Sequence, residues 1–155
     1  MVRRPMSDRQ FQILYDRYLP GLYKAALFLT GDQAFAERAA AQAFLKTAVH
    51  PEYAGDHRVF PVESARLLYH LCNQAAQSTY QLPKGFERLE LPVPPAQMTL
   101  AQRGVTIFSV MGYAEADLPY LLGLSRAAIR RYLHRFVPGM RMTNNTAVKI
   151  LGFLF

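Results

Sequence analysis

From Phe11 to Leu29 apolar residues fall at positions 11, 14, 15, 18, 22, 26 and 29. This is the three-and-four spacing of a helix with one buried face. Pro20-Gly21 interrupts it. Because a mid-helix proline removes a hydrogen bond and costs about 3 kcal/mol, a kink or two shorter helices is expected there. Thr30-Gly31-Asp32 punctuates the end, with glycine suited to the position after a helix and aspartate to the cap of the next. A second, alanine-rich helix is predicted from about Gln33 to Val49, carrying Phe35, Phe44 and Leu45 and stopped by His50-Pro51. Positions 51–60 read as a loop. A third helix is predicted from about Val62 to Tyr80, with Ala65, Leu68, Leu71, Cys72 and Ala75 on one face.

The clearest boundary follows. Pro83, Pro92, Pro94 and Pro95 crowd a stretch with no helical period, which reads as an extended linker. Thr99 is a good cap for a helix running to about Met111, and Gly112 breaks it. A short helix is predicted over 115–122, a turn at Gly123-Leu124, and a last helix capped by Ser125 and running to Phe136, where Pro138-Gly139 ends it. No strand pattern and no internal repeat appear. The expected class is all-α: a helical domain over 1–82, a linker over 83–98, a helix-turn-helix domain over 99–137 and an apolar tail over 138–155.

Composition narrows the function. Half of the 155 residues are apolar, enough for a core. Two units this small bury a reduced share of their surface, so mutual packing or a partner is expected. A single cysteine, Cys72, excludes an intramolecular disulfide and reads as a small buried hydrophobe. The opening residues carry no apolar segment, and no stretch approaches the ~18 apolar residues of a membrane span. A cytoplasmic protein without a membrane span is therefore expected, with the apolar tail docking on the protein itself or on a partner. Net charge is +7, and its placement matters more than its size. After Asp117 there is no acidic residue, whereas Arg126, Arg130, Arg131, Arg135, Arg141 and Lys149 follow. That asymmetry points to a polyanion.

The segment from Leu118 to Leu133 supplies a geometry for the charge. Leu118, Leu121, Leu122, Leu124, Ile129 and Leu133 can form one apolar seam around a turn at Gly123. Ser125 then caps a helix whose first residues are free to enter a major groove. Arg126 and Arg130 are four apart, as are Arg131 and Arg135, giving two rows suited to phosphates or guanine edges.

Residues 112–136, with Gly123-Leu124-Ser125, Ile129-Arg130, Leu133 and His134-Arg135, resemble region four of the extracytoplasmic-function sigma factors of bacterial RNA polymerase. Phe11, Leu14-Tyr15, Tyr18, Pro20, Leu22-Tyr23, Ala26, Leu29 to Asp32, Ala36-Glu37 and Phe44-Leu45 are similar to region two of that family, in the family's order. The resemblance implies a transcription-initiation factor that binds promoter DNA and core RNA polymerase, with an anti-sigma factor as a further partner and no cofactor. It implies DNA contacts by Ser125, Arg126, Arg130, Arg131, His134 and Arg135. It places the polymerase clamp contacts on Glu37, Arg38, Ala41, Gln42 and Leu45.

The chain departs from the family at informative places. Arg38, Ala41 and Gln42 stand where the family has an acid, a glutamine and a glutamate. The third helix has almost no positive charge where the family binds melted DNA, although Tyr80 offers a stacking ring. Pro119 should kink or shorten the first helix of the helix-turn-helix. The alternative is thus a sigma-like module that binds DNA or a protein without recruiting polymerase. An enzyme is not expected: His50, His57, His70 and His134 show no metal-ligand spacing, and there is no phosphate-cradling glycine loop.

Overall fold

The computed structural model describes residues 6–75, 79–87 and 89–138. The regular elements among these are all helical: α1 (Asp8–Thr30), α2 (Gln33–Ala48), α3 (Pro51–Ala54), α4 (Val59–Gln74), α5 (Leu100–Val110), α6 (Leu118–Leu122) and α7 (Arg126–Phe136). Single 3-10 turns lie at Pro95–Gln97 and Glu115–Asp117. The expected all-α class is what the chain forms. Most of the tail, residues 139–155, lies outside the described residues.

The caps read from the sequence do their work locally. The Asp32 carboxylate accepts from the Phe35 N–H at 3.0 Å, and the Ser125 hydroxyl from the Ala128 N–H at 3.1 Å. Thr99 and Gln102 exchange side-chain and backbone bonds in a capping box. Pro20, by contrast, does not divide α1. Its ring points to solvent, while half-buried Tyr18 and Leu19 on one side and buried Leu22, Ala25, Ala26 and Leu29 on the other pack into one core. Burial on both sides outweighs the one missing backbone bond.

Two further boundaries differ from the sequence reading. The loop expected over 51–60 contains the helical turn α3, because Pro51 occupies a first-turn position where its missing N–H would have no intrahelical partner. The third helix spans Val59–Gln74 and does not extend to Tyr80. Ala75 turns extended, with φ −71° and ψ 133°, and Tyr80 folds back onto α1.

The buried residues of α1, α2 and α4 run without a break into those of α5, α6 and α7. α5 packs on α1, α6 on α4, and α7 on α5 and α6. The proline-rich segment is itself anchored, with Phe86, Pro95 and Met98 buried and the Phe86 ring 5.4 Å from that of Phe28. Cys72 is fully buried, as expected of a small hydrophobe, and burial pushes its thiol up to about 12.

The join between the halves centres on the C-terminus of α1, where the last helical carbonyls lack intrahelical donors. The Gly31 N–H donates to the Leu27 carbonyl at 2.8 Å, the Tyr80 hydroxyl to Phe28 at 2.6 Å, and Arg103 Nε of α5 to Leu29 at 2.9 Å. Arg103 Nη1 also donates to the carbonyls of Met98 at 2.7 Å and Pro95 at 3.3 Å. Its guanidinium lies 4.1 Å from the Tyr80 ring centroid, and the residue is only 4% exposed. The cation also meets the negative end of the α1 dipole. Burial pushes the Tyr80 hydroxyl up to about 12, against the opposing influence of Arg103. Gly31 is required here twice over: its φ of +69° is left-handed, and a Cβ would collide with the Gln81 carbonyl oxygen.

Candidate nucleic-acid interface

The C-terminal half places a short helix, a tight turn and a longer helix in succession. Pro119 confines α6 to five residues by sitting in its first turn, the shortening expected of it. Gly123 takes φ +68° and ends α6 with its N–H on the Pro119 carbonyl at 2.8 Å. Ser125 follows in extended conformation and caps α7. Leu118, Leu121, Leu122, Ile129 and Leu133 are buried and Leu124 is half-buried, so the seam read from the sequence is formed.

That seam orients the charge. Ser125, Arg126, Arg130, Arg131, His134 and Arg135 are all exposed. At about 100° per residue, Arg126, Arg130 and His134 make one ridge of α7, and Arg131 and Arg135 the next. The two groups differ in their surroundings. Arg126 and Arg130 rim a cleft of about 420 Å³ with Glu115, Ala116, Pro119 and Ile129, so one carboxylate stands on their side. The Arg131 and Arg135 guanidiniums lie over the rings of Tyr132 and Phe136, at 5.6 and 5.1 Å, which limits their freedom. A cationic helix face bounded by two arginine rows can hold phosphates on both walls of a groove.

The second expected site lies on another element. Glu37, Arg38, Ala41, Gln42 and Leu45 are all exposed on one face of α2, while Ala36, Ala39, Ala40, Ala43 and Phe44 bury the other. Leu45 opens onto an apolar groove of about 630 Å³ shared with Phe11, Ile13, Val49 and Pro51. Ile13 is 54% exposed and Val49 71%. Apolar side chains gathered in this way are a feature of partner-binding surfaces. The structure does not bring this face and α7 together, since α2 packs on α1, α3 and α4.

Tyr80, the ring expected to stack on melted DNA, is instead part of the Arg103 join. Its hydroxyl and one face are already engaged. No positively charged side chain of α4 other than Arg66 is described, and its guanidinium lies 4.7 Å from the Tyr120 ring centroid of α6. The Tyr120 hydroxyl donates to Glu63 Oε1 at 2.7 Å, and that bond is the main cause of its raised pKa. This polar link between α4 and α6, together with His50 and His70 on the same cleft, carries no signal in the sequence because its members are far apart along the chain. Among the described residues no three metal-ligating side chains gather. Among them, too, no helix is long and apolar enough to cross a membrane.

Fold and interface together define an all-α protein whose C-terminal half carries a helix-turn-helix with a basic outer helix. Comparison with protein-family models, with curated proteins and with solved structures finds no match in any of the three.

Proposed function

We propose that the chain is a DNA-binding transcription-initiation factor resembling an alternative sigma factor, which directs RNA polymerase to promoters. In this reading α7 lies in the major groove of the upstream promoter element, with Arg126, Arg130 and Arg131 at base edges or phosphates and Arg135 and His134 flanking them. The observation that carries it is the exposed basic fan of α7, held by the Ser125 cap and a buried leucine seam, in a chain with no acidic residue beyond Asp117. The exposed face of α2 supports a protein partner, for which the family resemblance supplies the clamp of core polymerase. The division into units over 1–82 and 99–137 and the cytoplasmic location belong to the same proposal, as does an anti-sigma factor as further partner.

The test pairs a pull-down of core RNA polymerase with a salt-dependent titration of duplex promoter DNA. Wild type should bind more tightly, and with a steeper dependence on salt, than Arg130→Ala/Arg131→Ala. Equal slopes would remove those arginines from the interface.

A second reading is favoured by a specific observation. Tyr80 is turned into the core and α4 offers melted DNA little charge, while the polar clamp contacts of the family are replaced by Arg38, Ala41 and Gln42. A sigma-like module that binds DNA or a protein without recruiting polymerase fits those changes. It predicts DNA binding intact and no retention of core polymerase.

A further inference from the structure

A cleft of about 650 Å³ separates α2 and α4 from α6, and its size falls within the ~300–1,000 Å³ of small-molecule sites. It lies apart from both surfaces discussed above. Lys46 of α2 and Arg66 and His70 of α4 line it, and His50 adds a second imidazole, whose Nδ1 lies 3.4 Å from Glu52 Oε1. The one carboxylate that lines the cleft, Glu63, is engaged: it accepts the Tyr120 hydroxyl at 2.7 Å and stands 4.0 Å from Arg66. The side chains of Lys46 and His70 have no hydrogen bond or ion pair to any other described residue. At 4.0 Å and half exposed, the Arg66 pair is weak, and a guanidinium has five N–H donors to place.

The cleft is also aromatic. Tyr120 is 53% exposed, with Arg66 over its ring, and Tyr53 lies half-buried beside His50 with ring centroids 5.2 Å apart. Leu67, Leu121 and Leu122 give it apolar walls. Cations beside accessible flat rings suit a ligand that joins a planar ring to an anionic group, since the ring gains from stacking and the anion from charge-assisted hydrogen bonds. We propose that this cleft binds a mononucleotide, its phosphate held by Lys46 and Arg66 and its base laid against Tyr53 and Tyr120. Because the walls come from α2, α4 and α6, the bound ligand bridges the two halves, and it stabilises the folded chain by mass action.

The experiment is fluorescence anisotropy on the full chain with N-methylanthraniloyl-labelled adenosine monophosphate, with thermal melts alongside. Saturable binding is expected, displaced by unlabelled adenosine monophosphate and accompanied by a rise in melting temperature. Lys46→Glu, Arg66→Glu and Tyr120→Ala should each weaken it about tenfold or more, whereas Lys84→Glu, outside the cleft, should change it by less than about twofold. All four positions are exposed, so the fold should persist. If Lys46→Glu fails to fold, Lys46→Gln carries the same expectation. Absence of saturable binding overturns the proposal, as does equal weakening by Lys84→Glu, the mark of general attraction to a chain of net charge +7. So does inorganic phosphate competing as well as the nucleotide, which means a bare anion site. Displacement by duplex DNA that Arg130→Ala/Arg131→Ala leaves undiminished assigns the cleft to a phosphodiester backbone, and also overturns it. None of these outcomes depends on whether the chain recruits polymerase.

Discussion

Arg103 Nε reaches the carbonyl of Leu29 at 2.9 Å across 74 positions of the chain, and the bond is buried. One side chain thereby completes the end of α1, ties down the carbonyls of Met98 and Pro95, and lies against Tyr80. An unpaired buried guanidinium would be costly, so its bonds to the carbonyls of Leu29, Met98 and Pro95 make the pairing of the halves specific.

Removing that cation should therefore be among the most destabilising single changes. Arg103→Met keeps most of the volume but leaves several buried carbonyls without a donor, and a loss of about 3–5 kcal/mol is expected. Tyr80→Phe removes only the bond to Phe28 and should cost about 1–2 kcal/mol. Urea denaturation checks both; an Arg103→Met midpoint no lower than that of Tyr80→Phe would contradict the ranking.

Two left-handed glycines should respond differently to alanine. At Gly123 nothing stands near the added methyl, so only the backbone strain of about 1–2 kcal/mol is felt. At Gly31 the same strain is joined by collision with Gln81, and the loss should be clearly larger. Thermal melts of the two variants decide it.

Stability should fall in alkali. Burial raises Tyr80 and Cys72 to about 12 in the folded chain, against ordinary values of 10.0 and 9.0, and Tyr69 and Tyr113 are raised in the same direction. The unfolded chain thus loses these protons first. Their contribution is fully present below about pH 9 and is lost as pH rises towards about 12. The lowered pKa of Arg103, caused by burial, acts in the opposite sense. Urea midpoints at pH 8 and roughly pH 10.5 should differ, and Cys72→Ala should narrow the gap. An unchanged midpoint would mean that these groups open to water before they titrate.

The exposed face of α2 separates the two functional readings. Leu45→Glu alters a half-exposed side chain, so stability should shift by no more than about 0.5 kcal/mol. Under the sigma-factor reading it should abolish retention on core polymerase and leave duplex DNA binding intact. Retention unchanged by Leu45→Glu would move the polymerase contact off α2.

Local chemistry was legible in the sequence and distant pairing was not. Asp32, Thr99 and Ser125 act within three residues of themselves, so their caps follow from the residue and its neighbours. The leucine seam from Leu118 to Leu133 follows from spacing alone. The extra turn at Pro51, the uninterrupted α1 and the early end of α4 depend on packing against other elements, which outweighs local preference. Tyr80 shows the limit most clearly: its type suggested an exposed stacking ring, and only the position of Arg103 in space turns it inward. The rows of arginine on α7 were legible as rows, but the carboxylate of Glu115 beside one of them was not.

The Arg103 join also bears on how the chain comes to be made. While the ribosome has released only the first hundred residues, Gly31 and Tyr80 are present to meet the carbonyls of Leu27 and Phe28, but the carbonyl of Leu29 has no guanidinium to meet. Only once α5 has been made can the end of α1, and the core the two helices share, be completed. With the two halves sharing one core, melting of the finished protein is expected as a single transition, and a chain truncated before Arg103 should be cut by protease faster than the full chain.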